Sequence, residues 1–165
     1  MISAAAKRLG SLLADSGRTL SVAESCTGGL VAGAITSIPG SSRYFRGGVV
    51  AYHNSAKTSL LHVPPDLIAG HGAVSREVAL AMADGVLSRF RADLAIAVTG
   101  VAGPGGGSRG KPVGTVWVAI VARGGVRHAH RFRFHGGREA VRREAVLASV
   151  DGAIAVLRAE TREGG

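Results

Sequence analysis

Ala23-Glu24-Ser25-Cys26-Thr27-Gly28-Gly29 joins the end of an apolar run to the start of a helical pattern. A strand-to-helix junction of this kind lifts a side chain out of a sheet. It also aims the unpaired N–H groups of the first helical turn at whatever lies above. Those donors suit a phosphate or a developing oxyanion. Ser25 is therefore a candidate nucleophile, although Ser25 and Thr27 also have the chemistry of helix caps, the commoner use of these residues there. Cys26 reads either as a nucleophile, since a helix N-terminus lowers a thiol pKa, or as a small packed residue. Glu24 reads as an acid or base, or as the partner of a basic residue below the site.

Outward from this junction the chain alternates between strands and helices. Residues 2–15 carry Ala5, Leu9, Leu12 and Leu13 on one helical face, ended by Ser16-Gly17. Residues 18–23 form a short strand, and residues 29–37 an apolar helix stopped by Pro39-Gly40. Residues 44–52 read as a strand whose Val49-Val50-Ala51-Tyr52 core is buried, and Gly47-Gly48 within it signals a bulge or the close approach of a ligand. A helical turn runs from 53 to 61 with Asn54 as its N-cap, followed by a short helix over 66–69. Ser75 caps a clear helix reaching Phe90, with Val78, Met82, Val86 and Leu87 inward.

Residues 93–99 and 113–122 are strands, and Gly124-Gly125 turns the second into a hairpin partner over 126–134. That partner alternates Val126, His128, His130, Phe132 and Phe134 with Arg127, Ala129, Arg131, Arg133 and His135. A final helix over 138–160 points Val141, Ala145, Ala148 and Ile154 inward. Early strands separated by helices imply parallel neighbours, and the late hairpin implies one antiparallel pairing. The expected fold is a three-layer α/β/α sandwich around a mixed, mostly parallel sheet of about five strands.

Bulk properties narrow the function. A chain of 165 residues suits one domain with one full core. No window approaches the ~18–20 unbroken apolar residues of a membrane span, and residues 1–10 lack the apolar core of a secretory signal. A single cysteine rules out an internal disulfide framework and fits a reducing compartment such as the cytoplasm. The net charge of +9 favours anionic partners, either a small phosphorylated molecule or nucleic acid. Few aromatic groups are available for base stacking, which weakens the nucleic-acid reading.

Two further stretches carry chemistry. Tyr52-His53-Asn54-Ser55-Ala56-Lys57 lies at another strand-to-helix junction, and the carboxyl ends of strands build the site of an open α/β sheet. Tyr52 and Lys57 would thus approach Ser25, where burial turns a lysine into a base; by itself the motif reads sooner as a solvated helix lysine. The loop 99–111 is rich in glycine, which lets backbone N–H groups approach an anion, or serves structure alone. It imitates a P-loop, but Pro112 occupies the hydroxyl position and a strand follows where a helix is required. His128 and His130 have metal-ligand spacing without carboxylate or thiol company, so no metal is assigned.

Taken together, these segments resemble the CinA C-terminal domain family. The resemblance rests on Ala23-Glu24-Ser25-Cys26-Thr27-Gly28-Gly29, Ile38-Pro39-Gly40-Ser41-Ser42, Val50-Ala51-Tyr52-His53-Asn54-Ser55-Ala56-Lys57 and Gly72-Ala73-Val74-Ser75. It continues through Thr99-Gly100-Val101-Ala102-Gly103-Pro104-Gly105-Gly106, Lys111-Pro112-Val113-Gly114-Thr115-Val116 and Arg138-x-x-x-Arg142. It implies a nicotinamide mononucleotide deamidase with a serine nucleophile, a lysine base, no catalytic metal and no cofactor. By motif position, Ser25 attacks the carboxamide, Lys57 takes the serine proton, and Tyr52 and Thr99 orient the reacting groups. Backbone N–H groups at Thr27, Gly28 and Gly29 would supply oxyanion donors. Gly100, Gly103 and Gly105 would line the nucleotide site, and Arg138 would contact the phosphate. Homodimers are common in the family, and its larger relatives carry an additional N-terminal domain. His53, Ser55, Ser108-Arg109-Gly110 and Gly137 depart from its usual residues. The competing reading is a non-catalytic module that binds nucleotides or nucleic acid.

Overall fold

Short apolar strands bounded by glycine-rich turns assemble into one five-stranded sheet of order β2-β1-β3-β4-β5. The computed structural model describes residues 1–164. In chain order the elements are α1 (Ile2–Ser16), β1 (Leu20–Glu24), α2 (Leu30–Thr36), a 3-10 turn (Ser41–Arg43), β2 (Phe45–Val50), α3 (Asn54–Leu61) and α4 (Pro65–His71). They continue with α5 (Arg76–Phe90), β3 (Leu94–Gly100), β4 (Thr115–Ala122), β5 (Arg127–Arg133) and α6 (Arg138–Glu163). Among these helices none is long and apolar enough to cross a membrane.

β1 pairs in parallel with β2 on one side and β3 on the other. β4 runs antiparallel to both β3 and β5. The single antiparallel pairing expected from the hairpin is therefore joined by a second. The glycine loop after β3 contains no helix, so the chain has nothing to carry it across a sheet face and must fold straight back. Because β5 reverses the direction of β4, every strand except β4 points the same way.

The two faces of the sheet differ in side-chain size. Leu20, Val22, Leu94, Ile96, Val98, Val116, Val118 and Ile120 pack against α1, α2 and α6. Ala23, Ala95, Ala97 and Ala119 face α3, α4 and α5. These alanines let α5 lie close across the strands, and its Val78, Met82 and Val86 are fully buried there. Ser75 caps α5 as expected, accepting from the Val78 N–H at 3.2 Å.

Two local expectations differ. β2 is an edge strand in which alternate residues face outward, so Val50 and Tyr52 are exposed and it is Tyr44 and Ala51 that are buried. The Gly47-Gly48 pair does mark a bulge, with the register shifting between Leu20 and Ser21. The close neighbours are protein, however: Phe90 at Gly47 and Val22 at Gly48. At the start of α3 the cap is His53 rather than Asn54, its Nδ1 accepting from the Ser55 N–H at 3.2 Å.

Gly85 sits where α5 passes the backbone carbonyl of Leu61, with no room for a Cβ. A glycine-to-alanine change in an open helix gains about 1 kcal/mol. Here overpacking reverses the sign, and Gly85→Ala is expected to cost about 1–3 kcal/mol. In urea denaturation this lowers the midpoint without changing the slope; a raised midpoint would contradict the packing.

Candidate active site

Because β1, β2 and β3 are parallel neighbours, their carboxyl ends emerge side by side. β1 leads away to β2, whereas β3 leads away to β4 on the other side. The β1–β3 boundary is thus the switch point at which an open α/β sheet forms its crevice. Both ladders continue one residue past β1. The Ser25 N–H donates to Val98 O at 2.9 Å, and the Ala51 N–H donates to Glu24 O at 2.8 Å. Ser25 is thereby pinned against the end of β3, and the chain entering α3 is pinned beside it.

α3 then turns Lys57 back under this junction. Lys57 is 1% exposed, not a solvated helix lysine. Its Nζ donates to Ser25 Oγ at 3.2 Å and to the Tyr52 carbonyl at 3.4 Å. No carboxylate among the described residues pairs with it. Burial without a counter-charge disfavours the ammonium form and pushes the Lys57 pKa below its ordinary value. A lysine so placed gives up its proton more readily than an exposed one, and in the neutral form its lone pair faces the Ser25 hydroxyl.

The remaining expected groups gather around this pair. Thr99, at the end of β3, is buried and donates its hydroxyl to Ala73 O at 2.8 Å. Tyr52 meets the pair through its carbonyl rather than its phenol. Its exposed ring reaches outward, and the hydroxyl accepts from Arg138 Nη2 at 2.8 Å. Arg138 Nη1 donates to Gly103 O at 2.8 Å, so this guanidinium spans from the end of β2 to the glycine loop. Ser25, Tyr52, Lys57, Thr99, Gly100, Gly103, Gly105 and Arg138 line one cleft of about 300 Å³, the lower end of the range for ligand sites. A larger groove of about 520 Å³ lies between α3, α4 and α5 and shares no lining residue with this cleft. Chemistry rather than size identifies the site. At Gly100 an added Cβ would lie 2.7 Å from Val116 Cγ2 and 3.1 Å from Cys26 Sγ, so the absent side chain lets the two strand ends close up.

Thr27, Gly28 and Gly29 do not line this cleft. Thr27 is fully buried. The Gly28 N–H donates to Ser25 O at 3.1 Å. The Gly29 N–H is taken by Glu24, whose carboxylate also accepts from Val31 and Ala32, at 2.9, 3.1 and 2.8 Å respectively. Glu24 is thus neither a catalytic acid nor the partner of a basic residue. It caps α2, a task expected of Ser25 or Thr27, and its charge answers the helix dipole. With those donors occupied, Cys26 gains no thiolate stabilisation from the helix. Burial pushes its thiol up to about 11, against a nucleophilic role.

The sequence reading gave no site role to Asn54, Ala73, Val74 or Arg142. Asn54, named only as a cap, lines the cleft, as do Ala73 and Val74. Arg142 follows Arg138 by one helical turn, a spacing visible in the motif, and its Nε and Nη2 donate to Cys26 O and Thr27 O at 3.1 and 3.2 Å. His128 and His130 stack edge-on along β5 with ring centroids 5.0 Å apart. No cluster of three or more potential metal ligands occurs among the described residues.

A family model described as the CinA C-terminal domain matches residues 2–157. The chain belongs to the CinA C-terminal domain family. It is 53% identical over 143 residues to a CinA-like protein from Desulfotalea psychrophila, covering 87% of this chain and 34% of that protein. A CinA-like protein from Citrifermentans bemidjiense is 54% identical over 144 residues, with the same two coverages of 87% and 34%. The chain thus spans about a third of the length of the curated CinA relatives it matches. Among solved structures, the competence/damage inducible protein CihA from Agrobacterium tumefaciens superposes with a TM-score of 0.92 at 46% identity, over 95% of each chain. A CinA superfamily protein from Klebsiella pneumoniae also gives 0.92, at 37% identity over 96% of this chain and 98% of that one.

The Glu24 cap has a measurable consequence. Glu24→Ala strips the acceptor from three N–H groups, and charged hydrogen bonds of this kind contribute about 1.5–3 kcal/mol. Chemical denaturation of the variant should register a loss of at least that size. An unchanged midpoint would mean that α2 holds its first turn without the carboxylate.

Proposed function

We propose that this domain hydrolyses the carboxamide of nicotinamide mononucleotide to nicotinate mononucleotide and ammonia. The observation that carries the reading is the buried contact of Lys57 Nζ with Ser25 Oγ at the floor of the cleft. The choice of substrate rests on the family resemblance, together with a cleft edged by Arg138 and a glycine-rich loop.

The chemistry follows from the pair. With the Lys57 amine neutral, the contact runs in the other direction and the Ser25 hydroxyl gives its proton to the amine lone pair. Ser25 Oγ attacks the carboxamide carbon and forms a tetrahedral intermediate. Collapse expels the amino group, which takes the proton from Lys57 and leaves as ammonia, with the acyl group esterified to Ser25. A water molecule then gives a proton to Lys57 and attacks the ester, and the same proton returns to Ser25 Oγ as nicotinate departs. The Tyr52 carbonyl orients the amine through its 3.4 Å contact. Thr99 ties the end of β3 to the segment at Ala73 that forms one cleft wall.

Arg138 is the candidate phosphate contact. A guanidinium has five N–H donors, and Tyr52 and Gly103 occupy only some of them. The arginines of β5 lend less support to a nucleic-acid-binding module. Arg127 is paired with Asp84 at 2.6 Å, and Arg131 donates to Gly110 O at 2.7 Å.

Purified, chelator-treated protein is expected to release ammonia from nicotinamide mononucleotide and much less from nicotinamide riboside, which lacks the phosphate. Ser25→Ala and Lys57→Ala should each lower kcat by at least about 10³-fold while the circular dichroism spectrum is retained. A loss of only a few-fold in both would sink the pair as nucleophile and base.

The pH profile carries a sign of its own. Only the neutral amine acts as base, and burial lowers the pKa of Lys57 below the ordinary 10.5. Activity therefore falls as pH falls through that lowered value and levels off above it. The rising limb of kcat/KM should have its midpoint below 10.5; a midpoint at or above that value would show that the buried lysine is not the group titrating.

A further inference from the structure

Among the described residues that line the cleft, two are cations, Lys57 and Arg138, and none is an acid. Lys57 serves the proposed chemistry as a neutral amine, which leaves the Arg138 guanidinium as the fixed positive charge of the site. A free arginine side chain samples many rotamers, and ordering it around an arriving ligand costs affinity. Here the ordering is done beforehand. Arg138 Nη2 donates to the Tyr52 phenol and Nη1 to the Gly103 carbonyl, each at 2.8 Å. Anchors on two different nitrogens fix the plane of the guanidinium as well as its position.

Both anchors stand on braced backbone. The N–H of Ala51, the residue before Tyr52, is tied to Glu24 O at 2.8 Å. Gly103 has a φ of +86°, and an added Cβ there would lie 2.5 Å from Val113 Cγ1, so its carbonyl is presented by a turn that glycine suits. The base of this loop is closed by the Val101 N–H to Thr115 O and the Gly114 N–H to Val101 O, both at 2.8 Å. The chemistry of the anchors matters as much as their place. A phenol and a carbonyl are neutral acceptors, so they orient the guanidinium without cancelling its charge, whereas a carboxylate in either place would do both. Arg138 forms no salt bridge among the described residues. Of its five N–H donors two are used, and three remain for a phosphate, whose oxygens match the planar fork.

Tyr52 is 59% exposed. The Lys57 amine meets only the backbone carbonyl of this residue, and the phenol meets Arg138. Resting on the proposed substrate, we infer that Tyr52 is a positioning residue for phosphate recognition: with the Gly103 carbonyl, its phenol holds Arg138 at the cleft with the charge uncompensated, and so favours a phosphorylated substrate over its dephosphorylated counterpart. Tyr52→Phe isolates this role, because it removes the hydroxyl and keeps the carbonyl that orients Lys57.

Loss of one anchor leaves the guanidinium to be ordered by the ligand, and KM for nicotinamide mononucleotide should rise about 2–10-fold. The kcat should stay within about twofold, the signature of lost ground-state binding. Arg138→Ala removes charged hydrogen bonds and should raise KM by about 10–10²-fold. The double variant should be no worse than Arg138→Ala alone, since the phenol acts through the guanidinium. A merely structural role would shift the urea midpoint and leave the preference for mononucleotide over riboside unchanged. Tyr52→Phe with wild-type KM overturns the inference, as do additive losses in the double variant or a fall in kcat with KM kept. Binding of ribose 5-phosphate, measured by titration calorimetry, stands beside the kinetics and needs no turnover. Its affinity should fall by the same factor in Tyr52→Phe. Equal binding by both proteins, or none by the wild type, overturns this inference alone, whereas a protein that binds ribose 5-phosphate as expected but releases no ammonia overturns only the deamidase reading.

Discussion

A lysine amine buried without a carboxylate partner among the described residues is the constraint around which this structure is arranged. The side chain of Lys57 is almost wholly removed from water, and its Nζ finds only a hydroxyl and a carbonyl. Such a group is costly to keep charged, and the two contacts compensate it poorly as an ion. They compensate it well as a neutral amine. A local disadvantage of this kind is the pattern expected where function and stability pull apart, and it accords with the base proposed for Lys57. What makes it tolerable is the surrounding sheet: two ladder bonds past the end of β1, from the Ser25 N–H to Val98 O and from the Ala51 N–H to Glu24 O, hold Ser25 and the segment entering α3 beside the amine.

The second determinant is the division of labour at the junction after β1. Strand alternation sends Glu24 toward the α2 layer and Ser25 toward the α3 side. The carboxylate then satisfies the first turn of α2 from below. This frees the Ser25 hydroxyl from capping and removes the helix N-terminus from the list of available anion donors. The positive end of α2 is neutralised by protein.

α6 gives the site a second border. Arg138 and Arg142 are one helical turn apart and share a face, yet they do different things. Arg138 reaches around the cleft mouth to Tyr52 and Gly103, while Arg142 grips the backbone of the turn after Ser25. The last element of the chain thereby touches the junction that follows the first strand. The cleft is assembled from sequence positions more than a hundred residues apart.

Much of this was legible in the residues. Apolar runs of strand length, helical stripes and glycine punctuation were enough to place every helix and strand, because local periodicity follows from backbone geometry. The motifs likewise placed Ser25, Lys57, Thr99 and the glycines at strand ends, where an α/β sheet puts its site. Three things lay beyond them. Whether Lys57 is solvated or buried depends on which layer α3 joins, and nothing in Asn54 to Lys57 encodes that. Whether Glu24 or a hydroxyl caps α2 depends on the face to which β1 turns each side chain once both neighbours are paired. Whether β2 is central or at the edge depends on strand order, and it decided that Val50 and Tyr52 are exposed. Sequence alone determined the elements and the chemical groups at their ends, because both are local properties. Only the tertiary structure decided which groups meet, because desolvation, register and layer are set by residues far away along the chain.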